Sequence, residues 1–139
     1  MNSKDLGRIL AAQDAWDAAC ARSLEATLKM AGAQLVTAYS PNNGFSISGS
    51  KRDYWLATDI GLAMLVVRES EQQIKAIADW VAWHDVVDPE VRTDFLLFEE
   101  GSHETMRLTI QRPAMTLHTA SNLEPLAELA RAVMEHAGR

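Results

Sequence analysis

Residues 70–90 read SEQQIKAIADWVAWHDVVDPE, and how they fold decides the architecture of the whole chain. Ser70 is a good helix cap, and Gln73 stands three residues later, the spacing of a capping box. Ile74, Ile77, Ala78 and Val81 recur at the three-and-four spacing of one helix face. Pro89 sets the latest point at which such a helix ends. The stretch therefore predicts a central helix, with strand-like segments before and after it.

Upstream, Ser3 predicts the cap of a long first helix. Leu6, Ile9, Leu10, Gln13, Trp16, Cys20, Leu24, Thr27, Leu28 and Ala31 form its inward stripe, and Gly32 stops it. The period then changes. QLVTAY reads as a strand, SPNNG as a turn, and FSISGS alternates. KRD reads as a polar connection. YWLATDIGLAMLVVRE reads as one extended stretch in which Gly61 is either a bulge or a turn.

Downstream, RTDFLLFEE and HETMRLTIQR predict a hairpin turning at GS. In the second arm Met106, Leu108 and Ile110 share one face, while Thr105, Arg107, Thr109 and Gln111 share the other. Pro113 permits a bend into AMTLHTA. Ser121, with Glu124 as its box partner, opens a last helix. That helix buries Leu123, Leu126, Ala127, Ala130, Val133 and Met134, and Gly138 closes it. The expected fold is a single α+β domain over residues 1–139. It is a mostly antiparallel sheet of five or six strands with a long N-terminal, a central and a C-terminal helix.

Bulk properties narrow the function. At 139 residues, with 47% hydrophobic and 23% charged side chains, the chain can bury one proper core. A net charge of −6 disfavours nucleic acid and anionic membranes as partners. No apolar run approaches the roughly 20 residues of a membrane helix. Charges at Lys4, Asp5 and Arg8 interrupt what would be the apolar core of a signal peptide. A lone cysteine, Cys20, suits a reducing compartment, and a cytoplasmic protein is expected.

Catalytic chemistry finds no local signature. His84, His103, His118 and His136 lack metal-ligand spacing. Cys20 falls on a core stripe, away from the cationic neighbours a reactive thiolate needs. The seven glycines form no nucleotide-binding loop, and no nucleophile elbow is present. No catalytic residue, cofactor or metal is therefore expected.

Charge layout is the distinctive feature. Residues 69–104 hold ten acids against Lys75 and Arg92, a balance of −8, which leaves nine acids and eleven bases elsewhere. On the expected central helix Trp80 flanks the inward stripe. Trp83 lies opposite it, beside Gln72, Ala76 and Asp79. An outward tryptophan among acids reads as a contact surface. The expected partner-binding residues are Trp83, Trp80, Asp79, Asp85, Asp88 and Glu90. Their partner is another protein, basic or carrying an exposed apolar segment, and a homodimer through the same helix is the self-association version.

Element order, size and acidic balance, together with FLLFEEGSHETMRLTIQRPAMTLHTASNLEPLAELARAVMEHA at the C-terminal end, resemble the class I chaperones of type III secretion systems. IKAIADWVAWHDVV stands where that family has its leucine-rich second helix, and LGRIL faintly echoes its opening. The resemblance implies a homodimer around that helix and apolar patches that hold an extended segment of a secreted partner. Two other functions fit the composition. One is an inhibitor or immunity-type protein masking a basic, nucleic-acid-binding surface. The other is a small hydrolase or transferase using His84, His103 or His118 with a carboxylate.

Overall fold

The computed structural model describes residues 15–41, 51–71, 73–120 and 122–139. Helix α1 (Ala15–Ala31) is followed by strands β1 (Leu35–Tyr39), β2 (Lys51–Thr58), β3 (Gly61–Ser70) and β4 (Gln73–Ala82). A single 3-10 turn (Trp83–Asp85) leads to β5 (Glu90–Phe98), β6 (Gly101–Ile110), β7 (Met115–Thr119) and helix α2 (Glu124–His136). The strands form two antiparallel sheets, β1-β2-β3-β4 and β5-β6-β7. The chain packs as two compact units, Met1–Trp80 and Val81–Arg139.

The α+β class stands, but the expected central helix does not exist. Residues 73–82 are an extended strand, and among the described residues seven strands in two sheets replace five or six in one. Ile74 and Ala78 lie on one face of that strand and Ile77 and Val81 on the other, so the supposed stripe is divided by the two-residue period. The apparent capping box is a hairpin corner. Ser70 ends β3, Gln73 begins β4, and Glu71 between them adopts a left-handed φ of 50°. Ile74, Ile77, Trp80 and Val81 are β-branched or aromatic and fit a pleated surface better than a helix. A strand also stands where the chaperone resemblance implies a second helix.

In the first unit α1 lies on one face of the four-stranded sheet. Cys20, Leu24 and Leu28 of α1 pack with Leu35, Ala38, Tyr54, Leu56, Ala63, Leu65 and Val67, with Trp16, Ala78 and Trp80 at the margin. Gly32 ends α1 as expected. Its φ is 65°, its N–H donates to the Lys29 carbonyl (3.2 Å), and Ala33 N–H donates to the Leu28 carbonyl (3.0 Å), a Schellman cap. The Ser3 cap and the FSISGS segment lie outside the described residues. Lys51–Asp53, expected as a connection, is the start of β2.

Gly61 proves to be a turn. β2 and β3 pair from Lys51↔Arg68 to Ala57↔Leu62, and Thr58 organises the corner between them. Its hydroxyl donates to the Gly61 carbonyl (2.7 Å) and accepts from the amides of Gly61 (3.1 Å) and Ile60 (3.3 Å).

In the second unit α2 packs against β6 and β7. Its buried residues are Leu126, Leu129, Ala130, Ala132 and Val133; Met134, expected inside, is 52% exposed. Leu123 precedes the helix without a side-chain cap, and Ser121 lies outside the described residues. Leu108, Ile110 and Leu117 form the buried face of the sheet. The hairpin turns at Glu99–Glu100, with Phe98 opposite Gly101, rather than at GS. No helix among the described residues is long and apolar enough to cross a membrane.

Candidate interaction surface

The β5–β6 hairpin exposes what the rest of the second unit buries. α2 has 13 residues and spans about 20 Å, whereas the ten residues of β6 span about 33 Å, so the sheet outruns its helix. The register shows the consequence. Val91 pairs with the buried Leu108, but Thr93, Phe95 and Leu97, on the same face, pair with Met106, Glu104 and Ser102 beyond it. Phe95, Leu96, Leu97 and Phe98 are 60%, 55%, 77% and 59% exposed. Because successive strand residues alternate, both faces of the hairpin end carry large apolar groups. β5 is an edge of its sheet, so one row of backbone N–H and C=O groups has no neighbouring strand among the described residues.

Asp94, Glu99, Glu100 and Glu104 surround these apolar residues and are all exposed. Arg92 reaches Asp94 at 3.4 Å and offsets one of them. The remaining acids of the 69–104 window, including Glu69, Glu71, Asp79, Asp85, Asp88 and Glu90, are exposed as well.

The partner-binding residues expected from the sequence do not come together around a tryptophan. Trp83 is 5% exposed, seated in the 3-10 turn with its ring 5.3 Å from that of His136 at 32°. The Gly138 amide donates to the Trp83 carbonyl at 2.7 Å. The indole expected to face outward therefore faces inward. Trp80 is half-buried against the core of the first unit, while Asp79 is exposed on the opposite face of β4. Asp85 faces His84 (3.4 Å) in an exposed pair that joins adjacent residues, which helical spacing would have held apart. Asp88 is exposed with φ 52°, and Glu90 opens β5 opposite Thr109. Of the six, only Glu90 belongs to the hairpin.

The residues missed were the hairpin's own apolar run. FLLF is legible as a strand, but not its exposure: α2 stops short of Phe95 and Leu97, and Leu96 and Phe98 on the opposite face are exposed as well.

The histidines differ in their surroundings. His84, His103 and His118 are exposed, with His103 opposite Leu96 and His118 opposite Arg107. His136 is half-buried, its Nδ1 2.8 Å from the Ala132 carbonyl oxygen. Among the described residues no three His, Cys, Asp or Glu side chains converge in a way that would hold a metal ion.

The first unit contains a buried polar cluster of a different character. Arg52, 6% exposed, donates from Nη2 to Asp17 Oδ1 (2.7 Å) and from Nη1 to the Tyr54 hydroxyl (3.3 Å). Its guanidinium lies 5.9 Å from the Trp16 ring centroid. Burial works against the Arg52 charge, yet the hydrogen bonds to Tyr54 and Asp17 hold its pKa above the ordinary value. Burial pushes the Tyr54 hydroxyl up to about 12, against the opposing pull of Arg52. The cluster ties α1 to β2.

Comparison with known protein families, curated proteins and solved structures found no match.

Proposed function

We propose that the chain is a non-enzymatic protein-binding module whose contact element is the β5–β6 hairpin. Its partner is a protein that offers an extended apolar segment carrying basic residues. The exposed run Phe95–Phe98 on an edge strand carries this reading. Four adjacent large apolar side chains are costly to leave in water, and contiguous apolar patches mark contact sites. A free edge adds a strand by main-chain hydrogen bonding, and the side chains flanking it select the sequence that adds. Asp94, Glu99, Glu100 and Glu104 supply that selection, because they favour cations beside the incoming strand. A chaperone that holds a segment of a secreted protein is the narrower form of the same proposal.

The test uses a labelled synthetic dodecapeptide alternating valine with lysine, and a second alternating valine with glutamate. Fluorescence anisotropy is expected to show the lysine peptide binding and the glutamate peptide not binding. The double variant Phe95→Asp/Leu97→Asp should weaken capture about tenfold or more while circular dichroism stays unchanged, since both side chains point into solvent. Equal binding of the two peptides, or an unaffected double variant, would overturn the assignment. The exposed acids also support the second reading, an inhibitor masking a basic surface. Steep loss of binding with salt, without dependence on Phe95 and Leu97, would favour it.

A further inference from the structure

The free edge of β4 is a second surface, independent of the hairpin. β4 is ten residues long and terminates the four-stranded sheet, with no strand beyond it among the described residues. It has no proline, and exposed edges of this length are usually blunted because they pair with other chains. Ile74 and Ile77 are 43% and 47% exposed on opposite faces of it. Lys75, Ala76 and Asp79 are exposed as well.

The order of these side chains is self-complementary. Lys75, Ile77 and Asp79 share one face, and Ile77 lies midway between the two charges. Lys75 and Asp79 are four strand residues apart, about 13 Å, too far to pair with each other. Neither makes an ion pair among the described residues. Antiparallel pairing of two identical β4 strands about Ile77 resolves this. Ile77 meets Ile77, Lys75 meets Asp79 of the second copy, and Asp79 meets its Lys75. On the other face Ala76 meets Ala78, and Ile74 meets Trp80. These central pairs match in character, with only Gln73 and Val81 unlike at the margins, and the opposite charges occur twice because the two-fold axis repeats them. Parallel in-register pairing would instead set lysine beside lysine and aspartate beside aspartate.

We infer that a second copy of this chain occupies the β4 edge, joining two four-stranded sheets into one of eight strands through an antiparallel β4–β4 contact centred on Ile77. Sedimentation equilibrium of the full chain over a concentration series tests this. The unaltered protein is expected to dimerise. Lys75→Asp places two acids opposite each other at both ends of the contact, and Asp79→Lys does the same with two bases. Each single reversal should weaken dimerisation about tenfold or more. The double variant Lys75→Asp/Asp79→Lys restores opposite charges and should recover the dimer. An equimolar mixture of the two single variants should form a heterodimer that neither makes alone.

Circular dichroism checks that these exposed substitutions leave the fold intact, and Phe95→Asp/Leu97→Asp should still dimerise. A monomeric parent protein, single reversals without effect, or a double variant that stays dissociated would each overturn the inference. So would loss of the dimer in the hairpin variant, which would move the contact to β5.

Discussion

At the scale of single residues, Trp83 and Tyr54 carry the clearest consequences. Trp83 lies inside, so its truncation removes packing rather than a docking point. Trp83→Ala should destabilise the protein by about 3–5 kcal/mol, measured by urea denaturation, in keeping with large aromatic deletions from buried sites. A substitution there that left stability untouched would contradict the burial. Tyr54 makes stability depend on alkaline pH. Its hydroxyl titrates near 10 in an unfolded chain and at about 12 in the folded one, so the folded state keeps its proton longer. That contribution is fully present below about pH 10 and is lost as pH rises through about 12. Denaturation midpoints recorded over this interval should fall, and less so in Tyr54→Phe; Tyr39, raised by burial in the same direction, accounts for part of the remainder.

At the scale of elements, short-range signals served where one period was unambiguous and failed where two overlapped. The stripe within α1, the Gly32 stop and the alternation in β6 can be read from spacing alone; for α2 spacing finds Leu126, Ala130 and Val133 but misses Leu129 and Ala132 and wrongly buries Met134. In residues 73–82 the apolar positions satisfy a helical count through Ile74, Ile77, Ala78 and Val81. They also satisfy an alternating one through Ile74, Ala76, Ala78 and Trp80. What decides between them is pairing with β3, a contact with a neighbouring strand that no local pattern encodes. The same overlap sets Trp83 outward when the stretch is read as a helix, whereas the 3-10 turn seats it inside. Corners follow a similar rule. Thr58→Val keeps the shape of the β2–β3 turn but removes the hydroxyl that serves the buried Gly61 amide, and should cost about 1–3 kcal/mol in thermal or chemical unfolding. No loss would mean that the hydroxyl is not what closes the corner.

At the scale of the whole molecule, apolar and acidic residues share the exposed strands. Ten acids against two bases between residues 69 and 104 give a strongly negative stretch, and all ten are exposed. The two proposed contacts, at the hairpin and at the β4 edge, use that charge in opposite ways. On β5 and β6 the acids outnumber their bases and favour a cationic visitor, whereas on β4 one lysine and one aspartate balance across a two-fold axis. The proposed self-association and the proposed capture of a partner therefore fall on separate edges.

The seat of Trp83 has a practical corollary in optical spectroscopy. An indole shut away from solvent fluoresces at shorter wavelength than a hydrated one, and this ring rests against the imidazole near the end of α2. A version retaining Trp83 as its sole indole would therefore carry a native gauge of whether that last helix is seated, readable in a cuvette without any attached dye.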